Sequence, residues 1–154
     1  MEGLDGSQDD LRVGMVVQVQ GSVNADGSTG TASFIRYADD LQGPVSVIDE
    51  VATDPDIRRL TVLEQTVVIS ASDTSYEGTN FAAIQAGDFV EVSGFYDQNG
   101  DLQASYVELK DANDDIEIRG VIENLNGFEF IVRDVAVDAT SAVSIEGFAN
   151  GQLQ

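Results

Sequence analysis

The chain contains no cysteine and no histidine, and only one of its 154 residues is a lysine, Lys110. Without thiols there is no disulfide and no thiolate metal site; without imidazole, neither Ser–His–Asp nor Cys–His nucleophilic chemistry is open to it. The lack of cysteine assigns no compartment, because exported and cytosolic chains can both do without it. Basic residues are scarce as well, 7 against 28 acidic ones, for a net charge of −21. Such a field repels phosphate backbones, so nucleic acid is not an expected partner, whereas a cationic partner, divalent ions or salt-rich surroundings suit it. The same charge also serves to keep a β-rich surface soluble and its strand edges apart. No apolar run approaches the length of a membrane span, and the polar, acidic segment 1–10 has no apolar signal core. We expect 1–10 to be a disordered acidic tail and, if the natural product is exported, this chain to be a mature part.

What is present is a repeat. Leu11-Arg12-Val13-Gly14-Met15-Val16-Val17-Gln18-Val19-Gln20-Gly21 returns as Ile84-Gln85-Ala86-Gly87-Asp88-Phe89-Val90-Glu91-Val92-Ser93-Gly94. Gly14 and Gly87 stand 73 positions apart, and Ala32-Ser33-Phe34-Ile35 then matches Ala104-Ser105-Tyr106-Val107 at a spacing of 72. A second block, from Gly43 to Asp49, matches Gly120 to Asn126, and Leu60–Leu63 with Val67–Ser70 lines up with Phe128–Ile131 and Val135–Asp138. Self-similarity at this period means copies of one supersecondary unit. The expected organisation is the closing hairpin of a unit at 11–40, a complete unit at 41–113 and the opening strands of another at 114–154.

Alternation in Val90-Glu91-Val92-Ser93 and in Ser105-Tyr106-Val107-Glu108-Leu109 has the period of half-buried strands, and valine, isoleucine and threonine dominate these runs. Within the complete unit, strands are expected near 44–49, 59–64, 66–70, 88–95 and 102–109, with a short helical turn around 80–86 stopped by Gly87. Asn24–Ser28 and Asp97–Asp101 read as hairpin turns in which Gly27 and Gly100 take a positive φ. Three strands, a short turn of helix and two more strands is the element order of the OB-fold. The fold class expected is therefore all-β, with two small five-stranded OB-like Greek-key barrels. One is contiguous and the other is a composite of 11–40 with 114–154, formed within one chain or by strand exchange in a dimer. A permuted alternative would lay 15–20 along 44–49 instead.

The phrases Gly43-Pro44-Val45-Ser46-Val47-Ile48-Asp49, Leu60-Thr61-Val62-Leu63-Glu64-Gln65-Thr66-Val67, Gly87-Asp88-Phe89-Val90-Glu91-Val92-Ser93-Gly94 and Gly100-Asp101-Leu102-Gln103-Ala104-Ser105 together resemble a bacterial domain-of-unknown-function family. Its members resemble tandem OB-like β-barrel modules in exported envelope proteins. The resemblance implies a periplasmic or extracellular location and carries over no catalytic residues.

Candidate chemistry is sparse. Asp97, Asn99, Asp101 and Glu108 fall at positions 1, 3, 5 and 12 of a calcium-loop template, but Leu102 occupies the position where that template needs glycine, and strands flank it. Asp54-Pro55-Asp56 offers carboxylates at another loop tip, where aspartates also serve simply as turn formers. Tyr96 beside the acidic turn could stack on a sugar ring, although aromatics on adjacent strands commonly pack on one another. The speculative ligand-binding set is thus Tyr96, Asp97, Asn99, Asp101, Asp54 and Asp56, with no metal, no cofactor and no catalytic residue assigned. The functional expectation is a noncatalytic binding or interaction module for protein, peptide or carbohydrate. The rivals are a purely structural spacer and a calcium-responsive adhesion module.

Overall fold

The computed structural model describes residues 8–37, 39–112 and 114–142. They form an all-β chain, with no α-helix among the described residues. Gln8–Asp10 make a single 3-10 turn, with the Arg12 guanidinium donating to the Asp9 carbonyl at 2.6 Å; the rest of the expected acidic tail lies outside the described residues. The chain divides into two compact units, 2–117 and 118–154, apart from Met1.

In the first unit a hairpin of β1 (Val17–Val23) and β2 (Gly30–Tyr37) leads into a larger sheet. That sheet is built from β3 (Leu41–Glu50), β4 (Ile57–Val62), β5 (Gln65–Ser70), β6 (Ser75–Glu77), β7 (Phe89–Tyr96) and β8 (Leu102–Lys110). The five long strands close on themselves: β4 lies beside β5, β5 beside β8, β8 beside β7, β7 beside β3, and β3 returns to β4. Closure depends on β3 serving two neighbours. Leu41–Pro44 pair antiparallel with Phe89–Val92, and a register shift between Val45 and Val47 accompanies the change to β4, which takes Val45–Glu50. Because β1 pairs with β2 alone among the described strands, 15–20 does not run along 44–49.

The inward side chains of this ring form its core. Leu41, Leu60, Val67, Ile69, Val90, Val92, Leu102 and Val107 are sealed from solvent, and burial of a side chain of this size stabilises by about 1.5–3 kcal/mol. Gly43 is required by close approach, since a Cβ there would stand 2.8 Å from Leu63 in the β4–β5 turn. That turn is at Leu63–Glu64, both with positive φ (46° and 62°), so the expected strand 59–64 ends early and 66–70 begins one residue sooner. A two-residue turn with both φ positive matches strand twist even without Gly or Asn. Two further differences follow from packing. The short β6 runs parallel to β8 through Ser75–Glu77, anchored by the buried Thr74 hydroxyl, which donates to the Ala104 carbonyl at 2.8 Å. The 80–86 segment is a turn rather than a helix, organised by the Asn80 side chain accepting from the Ala82 and Ala83 N–H groups. Arg58 secures it by donating to the Phe81 carbonyl at 2.6 Å.

β7 is covered on both faces. Val90 and Val92 point into the ring, while Glu91 and Ser93 on the opposite face are also buried. The segment entering β1 lies over them: the Val16 N–H donates to the Ser93 hydroxyl at 3.4 Å, and the Ser105 hydroxyl donates to the Gly14 carbonyl at 2.6 Å. Gly14, at φ 99°, fits because a Cβ there would fall 2.3 Å from the Ser105 carbonyl oxygen.

In the second unit β10 (Ile122–Asn126), β11 (Glu129–Val132) and β12 (Val135–Asp138) form an antiparallel three-stranded sheet. The two-residue strand β9 (Glu117–Ile118) spans the boundary between the units. Arg133 and Asp134 repeat the positive-φ pair of Leu63 and Glu64. This corrects the repeat alignment by two residues: Val62 corresponds to Val132 and Val67 to Val137, whereas sequence similarity alone places Val67 against Val135. Gly120 confirms the match, since a Cβ there would stand 2.9 Å from Arg133, as one on Gly43 would from Leu63.

Candidate functional site

The β7–β8 turn brings Asp97, Asn99 and Asp101 together, and Tyr96 is half-buried at its edge. Gly100 stands at φ 87°, as the Asn-Gly signal requires. The Asp97 N–H donates to the Asp101 carbonyl at 2.9 Å, closing the hairpin. Its carboxylate is engaged on both oxygens: Oδ1 accepts from the Asn99 and Asp101 N–H groups at 2.8 and 3.1 Å, and Oδ2 from the Gln103 amide at 3.1 Å. Partial burial pushes the Asp97 carboxyl upward, but these donors outweigh it and hold it below the usual carboxylate range. Asp101 pairs with Arg59 of β4 at 2.6 Å. The acids therefore shape the turn, leaving the Asn99 side chain and the Phe95 ring, 66% exposed, facing solvent.

Asp54 and Asp56 lie elsewhere, exposed in the β3–β4 connection. Asp54 Oδ1 accepts from the Asp56 N–H at 3.1 Å, and the Asp56 carbonyl accepts from Ala71 at 2.9 Å, so both act as turn formers. Glu108 does not fold back toward the Asp97 turn; its carboxylate accepts from the Tyr106 hydroxyl at 3.3 Å and from Lys110 at 3.5 Å. Among the described residues no three acidic groups converge as a metal site.

A more connected polar cluster lies on the outer face of β7 and β8. The strand register sets Glu91 directly opposite Glu108, an unfavourable pairing of like charges. Lys110 resolves it, standing 3.1 Å from Glu91 and 3.5 Å from Glu108. Tyr37 donates its hydroxyl to Glu91, and Tyr106 donates to Glu77 at 2.7 Å, with Arg12 paired to Glu77 at 3.0 Å. Burial first, then these carboxylate partners, push both phenols well above the ordinary tyrosine value. Beside the cluster, Glu108, Leu109, Lys110, Asp111 and Asp114 line a surface depression of about 320 Å³. Sequence reasoning missed the cluster, although the hairpin turn fixes the register and with it the Glu91–Glu108 opposition.

Asp39, at the start of the β2–β3 junction, is pushed up to about 6, mainly by burial and then by the nearby charges of Glu117 and Glu91. Its Oδ2 is buried without a hydrogen-bond partner.

A family model described as a domain of unknown function, DUF5666, matches residues 2–36 and 42–108, which cover the β1–β2 hairpin and the ring almost to its end. No curated protein and no solved structure matches the chain.

Proposed function

Because the chain belongs to the DUF5666 family, a domain of unknown function, we propose that it is a noncatalytic binding or interaction module of an exported bacterial envelope or secreted protein. In this reading the five-strand ring is an OB-like barrel. The order β3–β4–β5–β8–β7–β3 and the parallel contact of Val67 and Val68 with Leu102 and Gln103 support it. In OB-folds the loop between the last two strands flanks the usual ligand face. The observation that carries the proposal is the β7–β8 turn, whose backbone is held by Asp97 and the Asp101–Arg59 pair and on which the Phe95 ring and the Asn99 side chain are both exposed. An exposed aromatic ring and an exposed amide on one turn suit a sugar ring or a basic peptide, and the net charge of −21 favours the peptide.

A thermal-shift series with oligosaccharides and with short basic peptides tests this. A ligand binding only the folded state raises the melting temperature, by the equivalent of about 2.7 kcal/mol at one hundred times its Kd, and Phe95→Ala should abolish the rise. No shift with any ligand would favour the structural spacer, a second reading supported by the internal engagement of both Asp97 oxygens. A calcium-responsive adhesion module requires a saturable rise at low calcium that sodium at matched ionic strength does not reproduce.

A further inference from the structure

We propose that the β1–β2 hairpin of one copy of this chain docks on the β10–β11–β12 sheet of a second copy, and reciprocally, so that a strand-exchanged dimer completes two further rings. The inference is independent of the ligand reading above.

The hairpin is the structural equivalent of β7–β8. Both carry a bulge at the same place, between Gln20 and Gly21 and between Ser93 and Gly94. Both place a glycine against the opposite strand there: a Cβ on Gly21 would fall 2.2 Å from the Thr31 carbonyl oxygen, and one on Gly94 would fall 2.1 Å from that of Gln103. The β10–β12 sheet is likewise the equivalent of β3–β5. Ile122 pairs with Val132 as Val45 pairs with Val62, and the same positive-φ turn joins the last two strands. The chain thus holds, besides one complete ring, a copy of each of the two parts from which that ring is made.

The complete ring shows how such parts join. Gly43 and Pro44 pair antiparallel with Val90 and Phe89, and Val67 and Val68 run parallel beside Leu102 and Gln103. Transferred through the structural equivalences, Gly120 and Val121 meet Val17 and Val16, and Val137 and Asp138 lie beside Gly30 and Thr31. Among the described strands, β1 and β2 pair only with each other, as do β10, β11 and β12, so these edges carry no assigned strand partner. Side chains whose counterparts are sealed in the ring, such as Val19, Ile35 and Ile122, are exposed. Open edges flanked by apolar faces are templates for pairing with another chain, and a second copy supplies both missing parts in the right register. Each copy carries a charge of −21, so association should strengthen as salt screens the repulsion.

The absence of native cysteine makes the register directly testable. Neighbouring strands stand about 4.8 Å apart, within the span of a disulfide. Chains carrying Thr31→Cys and chains carrying Asp138→Cys, mixed and mildly oxidised, should yield a disulfide-linked heterodimer, whereas Thr31→Cys with Glu129→Cys should not. Sedimentation velocity of the unaltered chain should show a concentration-dependent dimer that increases with sodium chloride. Val19→Asp should weaken it at least tenfold without moving the urea midpoint of the 41–110 ring. A chain that stays monomeric at every concentration and salt overturns the proposal. So does a Thr31→Cys/Asp138→Cys double variant that closes its disulfide inside a monomer, because the contact then belongs to a single chain. A dimer that links equally well through Glu129→Cys overturns the register.

Discussion

In the β7–β8 hairpin Val92 and Tyr106 are sealed from solvent, whereas at the same places in β1–β2 Val19 is 56% and Phe34 47% exposed. The two hairpins share a bulge, a glycine pressed on the opposite strand and a glycine of positive φ in the turn, φ 87° at Gly100 and 70° at Gly27. Their local backbone is therefore the same solution reached twice. The difference lies in what faces them: β7–β8 is closed by β3 and β5 on its edges and strapped by 12–16 on its outer face. Local sequence is enough to specify a hairpin, but the contribution of each side chain to stability is set by its surroundings. The charged positions make the same point. Glu91 and Glu108 oppose each other in the covered hairpin and need Lys110, while their counterparts Gln18 and Arg36 oppose each other in the exposed one without conflict.

The comparison can be sharpened by paired substitutions read through the urea unfolding of the ring. Tyr106→Ala should have the largest effect, destabilising by about 3–5 kcal/mol through lost burial and the cavity left behind, whereas Phe34→Ala should stay within about 0.5 kcal/mol. Equal losses at the two positions would show that the hairpins are equally packed.

Next is Lys110→Met, which leaves the buried Glu91 facing Glu108 without a cation; a loss of about 2–3 kcal/mol is expected, below that of a fully buried pair because Lys110 is partly exposed. Arg36→Met should be near neutral. Burial disfavours the Lys110 charge, but the Glu91 hydrogen bond and charge outweigh it and raise its value above the ordinary 10.5. A raised lysine stabilises fully below that ordinary value and stops doing so as pH climbs through the folded one. The difference between Lys110→Met and the unaltered chain should therefore persist at neutral pH and shrink only above pH 10.5.

Gly94→Ala drives a Cβ into the Gln103 carbonyl and should destabilise the ring by about 1–3 kcal/mol, whereas Gly21→Ala, with the same local overlap, should leave the ring midpoint in place. Gly100→Val should fall in the same range of about 1–3 kcal/mol for a different reason, a β-branched side chain at positive φ.

The smallest effect is expected at Asp39, in the connection between the two regions. Its carboxyl, raised to about 6 from 3.8, holds its proton more tightly when folded, so its ionisation reduces stability progressively between those two pH values. Asp39→Asn should stabilise by about 1 kcal/mol at pH 7, a figure discounted for partial solvent screening, and by little at pH 3.5. A gain that is independent of pH would remove the carboxyl's ionisation as the cause.

The candidate ligand-binding turn was legible because its information is local. Asp97, Asn99 and Gly100 encode an Asx-stabilised turn with positive φ through side chains that reach no farther than neighbouring residues. The repeat, the β character of the chain and the order of the long strands were readable for the same reason, from alternation and glycine spacing. Leu63–Glu64 and Arg133–Asp134 carry no Gly or Asn, so nothing local marks those turns and the alignment across them slips by two residues. β6, the strap over Ser93 and Ser105, and the Glu91–Lys110–Glu108 cluster were decided by tertiary structure alone. Each depends on groups far apart in the chain, such as Gly14 and Ser105, or Tyr37 and Glu91, meeting only after the ring has closed. The sequence by itself determined what each segment can become; which face of each hairpin is covered depends on long-range closure, which brings distant strands together and has no local signature.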